Sequence, residues 1–145
     1  MRWILTSLVT SVIGIVVLAA CEGNVFSLKV GDCYNGPSSY TGDITEVSGV
    51  ELVSCDEPHT HEVYAVFELP DSSWKGEDYV FEQAGIGCEA RIKAFVGIEF
   101  ALSTLLVDIL FPSEESWKDD DRLVKCSVLE ESLIKVTGSA KGSRR

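Results

Sequence analysis

Glu62-Val63-Tyr64-Ala65-Val66-Phe67-Glu68-Leu69 is the stretch from which the fold is read. Val63, Ala65, Phe67 and Leu69 alternate with Glu62, Tyr64 and Glu68. Successive side chains of a strand point to opposite faces, so this spacing predicts a half-buried β-strand with one apolar face. Downstream, residues 70–76 read as a loop, and Asp78 is placed to cap a helix over 78–96. Phe81, Ala84, Cys88, Ile92 and Phe95 recur at helical spacing and predict its buried stripe. Gly85 and Gly87 weaken that helix by about 1 kcal/mol each against alanine. Gly97 fits its stop.

Farther on, Leu105, Val107, Ile109 and Phe111 line one face of another strand, which Pro112 ends. A strand over 123–129 follows, and 134–136 reads as an edge strand. Upstream, strands over 29–34 and 50–55 flank a turn-rich polar segment, 35–49, broken by Gly36-Pro37 and Gly42-Asp43. Strands, one main helix and strands again predict an α+β domain. Its small antiparallel sheet carries the helix on one face.

The N-terminus sets the compartment. Arg2 is followed by an apolar run that ends in Leu18-Ala19-Ala20-Cys21. A positive start, an apolar middle and small residues before a cut are the marks of an export signal. Residues 1–20 therefore read as a lipoprotein signal peptide and Cys21 as the lipidated first residue of the mature chain. Its diacylglycerol, carrying acyl chains such as palmitate, is a sturdier anchor than a single chain. The rival is an uncleaved membrane span over 3–20, which Thr6, Ser7, Thr10 and Ser11 dilute. Either reading puts the body outside the cytoplasm, lipid-anchored at the cell membrane in the first case. Residues 21–28 read as a lipidated tether, 29–142 as the extracytoplasmic domain and 143–145 as a solvated basic tail.

Export gives the remaining cysteines their meaning. Cys33, Cys55, Cys88 and Cys126 are even in number and, outside the cytosol, default to two disulfides. Spacing leaves three pairings open. The predicted faces lean toward Cys88–Cys126, helix to strand, with Cys33–Cys55 remaining. Zinc held by Cys33, Cys55, His59 and His61 is the competing use, but the ligand pairs are badly spaced for a finger. No metal and no cofactor is expected. The chain's net charge of −11 argues against nucleic acid, whose phosphates would repel it.

Val30-Gly31-Asp32-Cys33, Val53-Ser54-Cys55 and Pro58-His59-Thr60-His61-Glu62-Val63-Tyr64 occur in that order. They are followed by Ala84 and Cys88, Phe111-Pro112-Ser113, Trp117, Asp121-Arg122, Cys126 and Thr137-Gly138-Ser139. This ordered set resembles the actinobacterial septum formation domain family over residues 29–142. The resemblance implies an extracytoplasmic domain on membrane proteins or lipoproteins, linked to cell division, with no agreed catalytic mechanism. Family members tend to have Gly-Asp-Arg after the tryptophan, where this chain has Asp120-Asp121-Arg122. Asp120 lacks the conformational freedom of glycine, so the turn after Trp117 is expected to differ.

The candidate binding residues are His59, His61, Glu62, Trp117 and Arg122. His59 and His61 are two apart and face the same way on an extended chain, as a metal-binding or pH-sensing pair would. The preferred reading is that one of them hydrogen-bonds the loop backbone and shapes the turn beside a disulfide. Trp117 reads as a lid on the core or a binding aromatic. His61-Glu62 is no zinc-protease signature, because that motif needs a second histidine where Ala65 stands. There is also no Gly-x-Ser-x-Gly elbow and no phosphate-cradling glycine loop. The expected function is a non-catalytic binding role at the cell envelope. The partner is membrane lipid through Cys21, plus an envelope or division protein or a wall polymer. The alternatives are a cell-wall hydrolase using His59 or His61, and an envelope sensor module.

Overall fold

A computed structural model describes residues 21–38, 40 and 46–145. The predicted signal peptide over 1–20 and the Gly42-Asp43 breaker lie outside the described residues. The elements are β1 (Cys21–Asn24), β2 (Cys33–Asn35), β3 (Gly49–Val53), β4 (His61–Glu68), α1 (Glu77–Val96), β5 (Leu105–Leu110), α2 (Glu114–Lys118) and β6 (Leu123–Glu130). The strands form one six-stranded sheet in the order β1-β3-β2-β4-β6-β5. Every neighbouring pair is antiparallel. The α+β architecture with one main helix on one face is as the sequence predicts.

Both faces of the sheet are covered. On one face, Val80, Ala84, Cys88, Ile92 and Val96 of α1 pack over Ala65, Leu105, Val124, Cys126 and Val128. On the other, Val25 and Leu28 from the N-terminal segment cover Tyr34, Val50 and Val63. A bulge in β4 makes this two-sided burial possible. Val63 pairs with Ser127 and Ala65 with Cys126, leaving Tyr64 as the extra residue. The bulge corrects the simple alternation. Val63 packs on the N-terminal side, while Ala65 and Phe67 pack under the helix.

Local chemistry explains how α1 sits. Gly76, not Asp78, occupies the N-cap. Glu77 and Asp78 lie inside the first turn, where their charge complements the helix dipole. Phe81 is 42% exposed and leans on Phe111, and Val80 takes the buried place predicted for it. Gly87 repays its helix-propensity cost through proximity, because a Cβ there would lie 2.2 Å from Phe67 Cζ. Gly97 ends the helix in the left-handed conformation, as predicted.

Both ends of the described residues depart from expectation. The predicted tether is structured from Cys21 onward, because β1 pairs its backbone with the open edge of β3. Unpaired strand edges are ready templates for such addition. Residues 134–136 form no strand, and Val136 makes an isolated bridge with His59. The basic tail keeps its arginine side chains exposed but is docked through its backbone and one ion pair. Arg144 N donates to Val96 O, Ser103 Oγ to Arg145 O, and the Arg145 guanidinium pairs with Glu130. The two disulfides are Cys33–Cys55 and Cys88–Cys126.

Candidate functional site

The segment entering β4 carries chemistry on both faces of the sheet. His61 is 1% exposed and stacks on Tyr34, its register partner on β2, with ring centroids 4.7 Å apart. Its Nε2 lies 3.1 Å from Asp108 Oδ2 on β5. Facing a carboxylate, that nitrogen donates a proton to it. Nδ1 lies 2.7 Å from the Thr60 hydroxyl, which also donates to Tyr34 O. Ser127 Oγ on β6 lies 3.0 Å from the Tyr34 hydroxyl, and Asp108 and Ser127 are register partners. Burial pushes the Tyr34 phenol above its ordinary range, against the Ser127 hydrogen bond, which acts the other way.

On the opposite side, His59 is 2% exposed and tied to the loop. Its N–H and C=O both pair with Val136, and its Nδ1 lies 2.9 Å from Glu57 O. This is the loop-shaping role the sequence reading preferred for one histidine. Glu62 is 3% exposed, yet its carboxylate accepts from Ser139 Oγ at 2.5 Å and from Ala140 N at 2.6 Å. It thereby latches the C-terminal segment onto β4. A shallow cleft here is lined by His59, Thr60, Glu62, Val128, Gly138 and Arg145. Among the described residues, Cys33, Cys55 and Glu62 alone gather three possible metal-ligand atoms, all within 4.8 Å of one another. Both sulfurs are bonded to each other.

Trp117 and Arg122 form a separate cluster. Trp117 is 5% exposed, meets Trp74 edge-on and has the Arg122 guanidinium 3.9 Å above its ring. Arg122 donates to the carbonyls of Trp117, Asp121 and Asp71, tying the 71–72 loop to the turn before β6. That turn holds Asp120 at φ 63°. The turn therefore takes the positive angle that a glycine would, which corrects the expectation that Asp120 alters it. Aspartate is among the few residues that visit this region at modest cost.

The structure splits the five predicted site residues into three places. His61 lies on one face, His59 and Glu62 gather on the other, and Trp117 and Arg122 brace a loop. The shared orientation expected of His59 and His61 fails because His59 precedes the strand and bonds Val136 instead. Sequence reasoning missed Tyr34, Thr60, Asp108, Ser127 and Ser139. Asp108 had a signal, as the only charge inside Leu105-Leu106-Val107-Asp108-Ile109-Leu110.

Residues 22–126 match the sequence profile described as septum formation. No curated protein and no solved structure matches the chain. Among the described residues no helix is long and apolar enough to cross a membrane.

Proposed function

The chain belongs to the septum formation family, and from that membership we propose that it serves septum formation as a lipid-anchored, non-catalytic binding protein of the cell envelope. Cys21 carries the lipid, the body faces outside the cytoplasm, and the setting is the actinobacterial envelope that the sequence resemblance implies. The two disulfides support an oxidising compartment. The partner is an envelope or division protein, or a wall polymer, met through surface loops.

The observation that carries the non-catalytic reading is the burial of both histidines in the chain. His59 and His61 are 2% and 1% exposed. A general base must come within hydrogen-bond reach of the proton it takes. Here the ring nitrogens face Glu57 O, Thr60 Oγ1 and Asp108 Oδ2. Mass spectrometry of the protein isolated from the envelope tests the anchor. The expected product begins at Cys21, carries acyl mass and retains both bridges; an intact Met1 with free thiols overturns the reading. Crosslinking in the envelope then identifies the partner.

One arrangement favours a second reading. Thr60, His61 and Asp108 present a hydroxyl, an imidazole and a carboxylate in series. Cell-wall hydrolysis that Thr60→Ala abolishes, with thermal stability unchanged, would replace binding with hydrolysis as the function.

A further inference from the structure

We propose that the Cys33–Cys55 bridge masks a divalent-metal site, which opens on reduction and takes zinc with Cys33, Cys55 and Glu62 as its ligands. This goes beyond the envelope-binding role and does not depend on it. The two bridges differ in kind. Cys88, on the inner face of α1, and Cys126, on the strand it covers, are both fully buried. In the other bridge Cys33 is 1% exposed, while Cys55 is half-buried at the end of the β3 segment and open to attack. Exchange depends on access to the sulfur attacked.

Glu62 supplies the second observation. Its carboxylate is buried, and among the described residues no cation pairs with it. Each oxygen accepts one hydrogen bond, from Ser139 or Ala140, and retains a lone pair for a metal. Those two donors would also hold the carboxylate in place as a ligand. Donors on tetrahedral zinc at usual bond lengths stand roughly 3–4 Å apart, and the three atoms already lie within 4.8 Å of one another. Thiolates favour zinc, and water takes the open fourth position.

The chemistry balances with a dithiol as reductant. Its thiolate attacks Cys55 Sγ, the Cys33–Cys55 bond breaks, and Cys33 leaves as a thiolate. The second thiol of the reductant then displaces Cys55 from the mixed disulfide. The dithiol loses two electrons and becomes a disulfide, while the bridge gains them. Zinc holds both protein sulfurs as thiolates, and the two dithiol protons pass to solvent.

The test uses the chain from Cys21 onward, reduced by a dithiol under conditions that mass spectrometry shows leave Cys88–Cys126 closed. Cobalt and zinc are the probes. The expected result is one ion per reduced chain, none per oxidised chain, and a thiolate-to-cobalt charge-transfer band. Cys33→Ser with Cys55→Ser should remove the band, and Glu62→Gln, which removes a direct ligand, should weaken zinc binding by more than the roughly tenfold typical of changes to groups that only support a ligand. Ser139→Ala, which leaves all three ligands, should weaken it less. Zinc binding equal in the reduced wild type and the double serine variant overturns the proposal. So does full affinity in Glu62→Gln, or unfolding of the reduced chain that zinc does not reverse.

Discussion

The imidazole of His61 lies flat on the ring of Tyr34, with the two planes only 7° apart. Each ring is fixed by a polar partner farther across the sheet, Asp108 for His61 and Ser127 for Tyr34. Four strands, β2, β4, β6 and β5, are thus linked by side chains as well as by their backbones. Removing His61 should be felt as a loss of stability. His61→Ala leaves the Asp108 carboxylate without its imidazole and strips a stacking partner, costing about 2–4 kcal/mol. Chemical denaturation checks the size. Asp108→Asn, which keeps an acceptor for Nε2, should cost less.

The buried phenols predict an alkaline limb. Burial raises Tyr34 and Tyr64 above the ordinary value of 10.0. Folding therefore holds both protons, and this contribution is full below pH 10. Above that, the unfolded chain ionises first, and stability falls by up to about 1.4 kcal/mol per pH unit for each tyrosine. Tyr34→Phe and Tyr64→Phe should each flatten the decline measured by denaturation between neutral and strongly alkaline pH.

Asp120 predicts a gain. It holds φ 63° on an exposed turn, where a side chain is a steric cost. Asp120→Gly should stabilise the protein by about 0.5–1 kcal/mol, read as a rise in melting temperature. The gain is limited because glycine also loosens the unfolded chain.

Arg122 predicts a non-conservative lysine. Its planar guanidinium reaches several carbonyls at once while lying on Trp117. Arg122→Lys should recover little of the roughly 2–3 kcal/mol lost in Arg122→Ala, because an ammonium cannot reproduce the fork. Tryptophan fluorescence during urea unfolding follows both variants.

The bridge under the helix should matter most to folding. Cys88–Cys126 closes a separation of 38 residues and Cys33–Cys55 one of 22. Chain entropy assigns them roughly 4 and 3 kcal/mol, and opening the first also disturbs packed core. Paired alanine variants compared by denaturation should rank in that order.

The parts of this fold legible in the sequence are those written in periodic burial. The helix stripe through Ala84, Cys88, Ile92 and Phe95 and the strand face of Val124, Cys126 and Val128 were readable, and with them one disulfide. Tertiary pairing was not. Nothing in Cys21-Glu22-Gly23-Asn24 marks a strand, since its reason for forming is the vacant edge of β3, a segment distant in sequence. The β4 bulge is likewise set by the two faces it must serve. At the candidate site the histidines stood out, but their partners came from β2, β5, β6 and the C-terminal segment. Of these partners only Asp108 had a signal in the sequence, as a charge inside an apolar strand, and it was passed over.

The pairing of Cys21 with Leu52 has a mechanical consequence. Acyl groups on Cys21 would moor the domain with no slack, setting the rim of the sheet flush against the lipid headgroups. Outward reach would then require peeling β1 from β3, which releases roughly 13 Å of chain for four residues. Pulling on the anchor would load the sheet itself, making the hold of β3 on β1 the catch that decides how far from the bilayer a partner can be met.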